Sequence, residues 1–415
     1  MPLRIMHFSD VHFGVENYGR FDPETGLSSR LVDFRNALLS AIDKALDAGV
    51  ELAVFTGDAY KTRDPNQTHQ REFASCLKRL IDRDVPVVLL AGNHDIPNTR
   101  GRANSIEIFG ALSGDRLHVL DRPRVLEVAT RTGARVQIAA LPYLTKSSQL
   151  AKDETRGKGV QETTETVVEK YQEVIGSLRR QCAMNPGLPT IFMGHFTVST
   201  AKLSTTQASY LTNEPQVPRA DLAVAEFDYV ALGHIHKFQD LNFGHQPPMV
   251  YSGSIERIDF GERKEAKGFV IADIARGAVD YSFVETETRP FVEIEVDTTL
   301  GTDDPTEKVV AAILKRDIEN AIVKVSYKVK SEDVPLIRDK DIRAALTPAF
   351  MVVALHKDVV RDNERDRSAL LTESLDPLAA LGTYIDTREA LKPRKDVMLE
   401  YARKLMDELN SDAAV

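Results

Sequence analysis

Five short runs carry side chains able to hold a divalent cation, and each follows an apolar stretch. Ile5–Phe8 runs into Ser9-Asp10-Val11-His12, and Leu52–Phe55 into Thr56-Gly57-Asp58. Val87–Ala91 leads to Gly92-Asn93-His94-Asp95, Thr190–Met193 to Gly194-His195, and Tyr229–Leu232 to Gly233-His234-Ile235-His236. Each run alone is weak, since Asp-X-His also caps turns and Gly-Asn-His-Asp also forms loops. Their shared position is the signal. Five of the ten histidines, namely His12, His94, His195, His234 and His236, lie one to four residues beyond a strand end. His7 falls inside the first strand and reads as core, while His69, His118, His245 and His356 read as surface or helix-flanking residues.

Carboxylate, amide and imidazole without thiolate suit hard or borderline ions, so Mn²⁺, Mg²⁺ or Fe²⁺ is expected rather than a structural zinc. Two ions about 3.5–4 Å apart clamp the attacking and leaving oxygens of an in-line displacement and lower the pKa of water from 15.7 towards about 7. That is about 12 kcal/mol of deprotonation cost, at ~1.36 kcal/mol per unit. Asp58 stands alone on its strand and is expected to bridge the ions. His94 neighbours a ligand without being one, which suits a general acid or transition-state stabiliser. Asp95 is expected to orient its second nitrogen.

Around these runs, the first 285 residues read as strands alternating with helices, the pattern of an α/β domain. The spacing predicts helices over 30–48, 68–83 and 165–181, and buried strands between them. In an open α/β sheet, ligands bind outside the carboxyl ends of the strands, so all five runs are expected in one crevice. Glycine before Asp58, Asn93, His195 and His234 lets the backbone approach the ions closely. Thr145–Thr164 and Thr197–Asp221 are polar and read as long surface loops. A smaller strand–helix–strand–helix–strand unit follows from about 286 to 358, its last strand at Met351–His356. Val359–Ser368 is a charge run that reads as a linker, and the last ~30 residues read as one amphipathic helix. The chain thus divides into 1–285, 286–358 and 359–415.

Composition narrows the class. The 42% apolar and 28% charged content is that of a globular protein, and no apolar run reaches the roughly 18–20 residues that cross a bilayer. No membrane partner is expected. Two cysteines, Cys76 and Cys182, are too few for a disulfide framework, and the chain opens straight into a strand, so a reducing cytoplasm is expected. A net charge of −9 argues against a surface coated for nucleic acid, though not against a local basic groove.

In their order, the five motifs resemble those of the calcineurin-like metallophosphoesterase superfamily. Phe8-Ser9-Asp10-Val11-His12-Phe13-Gly14, Tyr251-Ser252-Gly253-Ser254-Ile255-Glu256-Arg257 and Lys267-Gly268-Phe269 are similar to the SbcD-type nuclease subunits of bacterial DNA repair. The resemblance implies a β-sandwich flanked by helices, with a small α+β capping domain and a C-terminal helical segment. It implies one manganese held by Asp10, His12, Asp58 and His236, and a second by Asp58, Asn93, His195 and His234. It further implies cleavage of DNA phosphodiester bonds, a homodimer, nucleoid association, and a coiled-coil ATPase of the SbcC type gripped by the C-terminal helices. Some relatives carry histidine where this chain has Lys61, so whatever that histidine contributes is missing here. Lys61, Arg63, Arg100 and Arg102 lie on loops flanking the ligands and are candidate DNA contacts. A phosphatase-type phosphomonoesterase and a DNA-end tethering scaffold are the competing readings.

Overall fold

The computed structural model describes residues 2–97, 101–112, 114–144, 159–211, 214–300, 302–360, 377–386, 388 and 391–412. The ligand-bearing strands do not share one open sheet. Two six-stranded sheets are present, and the five motifs are divided between them. The first runs Ala278–Glu285, Gly268–Ala275, Leu3–Phe8, Leu52–Phe55, Val87–Leu90, Leu117–Leu120. The second runs Gln239–Asp240, Met249–Tyr251, Tyr229–Gly233, Thr190–His195, Arg135–Leu141, Arg124–Ala129. Within each, the motif strands pair in parallel, with Phe8 opposite Phe55 and Gly233 opposite His195.

The two sheets face each other across one core. Ile5, Val54 and Val88 from the first meet Ile138, Ile191, Met193 and Ala231 from the second. The alternate residues point outward, where Phe8, Phe55 and Leu89 pack on Leu31, Phe34 and Ile42 of helix Ser29–Asp47 and on Phe73 and Leu77 of helix Gln67–Ile81. On the far side Phe192, Val230 and Leu232 pack on Val167, Tyr171 and Ile175 of helix Val160–Cys182. A strand buried on both faces cannot alternate polar with apolar, which is why these strands read as continuous apolar runs. The result is a helix–sheet–sheet–helix sandwich, and ligands from both sheets meet at the carboxyl ends.

Segment 197–221 is not a surface loop. It folds as strand Thr197–Val198, helix Thr205–Leu211 and strand Gln216–Val217, and Ser204, Gln207 and Leu211 are buried. Of the other polar segment, 145–158 lies outside the described residues, and 160–164 begin the helix that follows.

By compactness the chain forms two units, one of 1–293, 316–324 and 348–354, the other of 294–315, 325–347 and 355–415. Strands Phe291–Asp297, Ile322–Lys330 and Met351–Val360 form a three-stranded sheet, with helices Pro305–Leu314 and Asp339–Ala345 between them in sequence. The last strand reaches Val360, past the expected start of the linker, and 361–368 lie outside the described residues. Helix Lys395–Asp412 stands in the C-terminal stretch that reads as an amphipathic helix, and a further helix, Pro377–Asp386, precedes it. Among the described residues, no helix is long and apolar enough to cross a membrane.

Candidate metal centre

All seven expected ligands lie in the first unit, and they converge. Asp10, His12 and His236 place ligand atoms within 4.8 Å of one another, as do Asp58, His195 and His234. His12, Asp58 and His94 form a third such group. Asp58 stands between the two halves: its Oδ2 lies 3.7 Å from His12 Nε2 and 3.4 Å from His195 Nε2. Asn93 Oδ1 lies 3.0 Å from both His195 Nε2 and His234 Nδ1. His12 and His236 face each other with Nε2 atoms 3.1 Å apart, and His12 Nδ1 is buried without a partner. Imidazole nitrogens and carboxylates crowded at this spacing, short of donors, suit cations placed among them.

Backbone geometry delivers these side chains. Asp10, His12, Asp58 and His234 have φ of 52°, 49°, 62° and 91°, the left-handed region that L residues other than glycine rarely enter. Such conformations cost about 1–3 kcal/mol each and persist where surrounding bonds hold them. Here the loops after the first two strands keep pairing, with Asp10 N–H donating to the Gly57 carbonyl and His12 N–H to that of Asp58. The two sheets are laced together where Asp10 accepts from His234 N–H, at 3.1 Å to Oδ2. Close approach explains two of the glycines. A Cβ on Gly57 would sit 2.4 Å from His195 Nδ1, and one on Gly92 would sit 2.2 Å from Asp58 Oδ1.

Three histidines are held from behind, which frees the other ring nitrogen for the centre. His195 Nδ1 bonds the Thr56 carbonyl at 2.6 Å, His234 Nε2 bonds Glu214 at 2.7 Å, and His236 Nδ1 bonds Glu262 at 2.7 Å. Gln207 joins the last two residues, donating to the His234 carbonyl and accepting from His236 N–H. Sequence reasoning missed Glu214, Gln207 and Glu262, because none lies at a strand end. The cluster is electrostatically uneven. Burial holds His12 well below the ordinary imidazole value, with Asp58 opposing. Burial acts the same way on His195, but Asp58 outweighs it and pushes that ring up to about 9. Asp58 is held well below the usual carboxylate range, against burial, by His195, His94 and His12.

His94 is near the cluster, its ring edge-on to His12 at 5.1 Å between centroids. Its Nδ1 pairs with the Lys61 carbonyl at 2.8 Å, and its backbone N–H donates to Asp58 Oδ1 at 2.8 Å. Asp95 therefore does not orient this ring. Its fully buried carboxylate accepts from the backbone N–H groups of Asp58, Ala59 and Gly92, bracing the two loops. With these three donors and the Ser105 hydroxyl gathered on it, the carboxylate has no place left for an imidazole. Burial, aided by the Asp58 charge, pushes the Asp95 carboxyl up to about 7.

The basic residues are less free than their sequence suggests. Arg63 donates from Nε to the Asn93 carbonyl at 3.1 Å, and Arg102 pairs with Asp64 at 2.9 Å on the surface. Lys61 lines a cavity of about 320 Å³ over the centre, with His94, Gln207, Tyr210 and Asp259 among its walls. Arg100 lies outside the described residues. His7 is a core residue as expected, bonded to Tyr229 Oη and Thr56 Oγ1.

Residues 3–238 match the calcineurin-like phosphoesterase family. The chain is 27% identical over 325 residues to the DNA double-strand break repair protein Mre11 of Thermoplasma acidophilum, covering 77% of this chain and 75% of that one. The Mre11 of Methanocaldococcus jannaschii is 26% identical over 304 residues, 71% of this chain and 69% of its own. The SbcD component of the nuclease SbcCD of Bacillus subtilis is 26% identical over 284 residues, 66% of this chain and 67% of its own.

Proposed function

The chain belongs to the calcineurin-like phosphoesterase family, and on that premise we propose that it is a manganese-dependent nuclease that hydrolyses DNA phosphodiester bonds in double-strand break repair. One observation carries the reading: Asp58 lies between an Asp10–His12–His236 group and a His195–His234 group, with Asn93 beside the latter. The relatives named for break repair and for the SbcCD nuclease support DNA as the substrate. Asp10, His12, Asp58 and His236 would hold one ion, and Asp58, Asn93, His195 and His234 the other. Divalent ions in such a site lower the pKa of water and neutralise charge on a phosphoryl group.

The remaining steps fall to the chain's own groups. A carbonyl only accepts, so the Lys61 carbonyl fixes the neutral His94 ring with its proton on Nδ1 and leaves Nε2 for the substrate. Once protonated, His94 can give up the Nε2 proton to the leaving oxygen. Asp95 acts by bracing the loops that carry Asp58 and Asn93. Lys61 at the cavity, with Arg63, Arg100 and Arg102 around it, would meet the flanking phosphates. We assign 286–358 as a capping domain for DNA and 359–415 as the arm for a coiled-coil ATPase, in a homodimer acting at the nucleoid. Cutting the chain after Leu370 should abolish co-purification with that ATPase and spare cleavage of simple substrates.

The test of function is purified protein with Mn²⁺ on end-labelled DNA, beside an aryl phosphomonoester. Metal-dependent DNA cleavage is expected, with binding that weakens steeply as salt rises. Fast monoester turnover without DNA cleavage, with or without the ATPase, would establish a phosphatase instead. Metal-independent DNA binding without hydrolysis of either substrate would establish a tether.

A further inference from the structure

Of the three histidines held from behind, His236 alone, among the described residues, has a full cation buried behind its carboxylate. His195 rests on a neutral carbonyl, and Glu214 behind His234 is partly exposed. Glu262 behind His236 is sealed: one oxygen takes the His236 Nδ1–H, and the other takes the Ile258 N–H at 3.0 Å and the Lys267 ammonium at 2.8 Å. Lys267 is itself fully buried. Its three donors go to Glu262 Oε2, to Glu265 Oε2 at 3.1 Å and to the carbonyl of His236 itself at 3.0 Å. One lysine therefore holds His236 twice, directly at its backbone and through Glu262 at its ring.

Lysine is almost never fully buried unless paired, and removing two charges from water costs several kcal/mol per ion. An apolar pair would fill the same space at lower cost. Charge at this position has a use if it fixes the ring. With Glu262 an anion, His236 carries its proton on Nδ1, and its bare Nε2 faces His12 Nε2 and Asp10.

We propose that Lys267 and Glu262 are positioning residues that set the tautomer and orientation of His236, and so tighten the Asp10–His12–His236 ion selectively. The proposal rests on the two-ion reading above. Its test is Mn²⁺ binding to the full chain by calorimetry, with electron paramagnetic resonance at one ion per chain, for wild type, Glu262→Gln, Lys267→Met and the double variant. Wild type should bind two ions. Each single variant should weaken one of them about 10–100-fold, as changes to groups behind metal-bound histidines commonly do, and leave the other unchanged. At one ion per chain the resonance spectrum of each variant should be that of an ion at Asp58, Asn93, His195 and His234, the position left intact. In the Glu262→Gln background, Lys267→Met should cost less than it does alone, since its hold on the ring passes through that carboxylate and only its contact with the His236 carbonyl is left to lose.

Thermal unfolding in chelator is measured in parallel. A lowered midpoint with both affinities unchanged, or with both weakened alike, would mean that the pair only braces the fold, and would overturn the proposal. Should Lys267→Met leave an unpaired anion that prevents folding, the double variant carries neither charge, and unchanged ion binding there overturns the proposal equally. Two ions in wild type with unaltered variants defeats this inference alone. Fewer than two ions in wild type defeats the two-ion reading and this inference with it.

Discussion

The floor of the candidate site and its basic rim are built on opposite principles. Floor residues Asp10, His12, Asp58, His195 and His234 are buried, at or just past the ends of strands whose register is set by two packed sheets. Four of them hold left-handed backbone, fixed by hydrogen bonds between loops. Rim residues Arg63 and Arg102 sit on loops and already have partners in Asn93 and Asp64. A strand end fixes direction as well as place. A loop charge remains free to choose the nearest acceptor. Position in the fold, more than residue type, decides which side chains can be counted on to meet a ligand.

Substitution at the floor should cost the most. Asp58→Asn keeps the shape, and asparagine tolerates left-handed backbone, so the fold should survive. Turnover should fall by more than about 10⁴-fold, beyond the ~10²–10⁴-fold usually owed to one acid–base group. Binding of both ions should weaken together in calorimetry. A variant that takes up two ions with wild-type affinity would remove the bridge.

Next comes His94→Gln, which should keep both ions and lower kcat about 10²–10⁴-fold. Metal content and cleavage are measured on one preparation. Lost metal would make His94 a ligand, and near-normal kcat would deny it any role.

Glu214→Gln probes the part of the site that segment 197–221 contributes. It should weaken the ion on the His234 side by about 10–100-fold and leave the other intact. Equal weakening of both would mean that the segment supports the centre as a whole rather than one histidine.

Gly92→Ala tests close approach. The added methyl would crowd the Asp58 carboxylate and, at 2.5 Å, the Asp58 backbone nitrogen, so the loop must shift and the chelated protein should lose on the order of 1–3 kcal/mol by denaturant titration. Unchanged stability would show that this turn yields easily.

The smallest effect belongs to the rim. Arg102→Ala should weaken DNA binding less than about threefold and change the salt slope by less than about one, because the guanidinium is already paired with Asp64. A tenfold loss would show that DNA outcompetes Asp64 and that the rim is a true contact surface.

The ligand types, their position past strand ends, the apolar strands and the helices that cover them are legible in the order of the residues. These are short-range properties. A ligand two residues beyond an apolar run is visible at any distance from its partners, and a helix such as Ser29–Asp47 shows its inner face by period alone. Tertiary structure decided the rest. That the strands form two sheets depends on which apolar faces meet; the continuous apolar runs conceal it, and only the family resemblance implied a sandwich. That Asp95 braces loops and Lys61 steers His94 depends on loop paths, not on adjacency. Glu262 reaches His236 from 26 positions away, and Asp10 binds His234 N–H across 224. No fixed offset links such pairs, since chain separation places no constraint on contact once the core has packed.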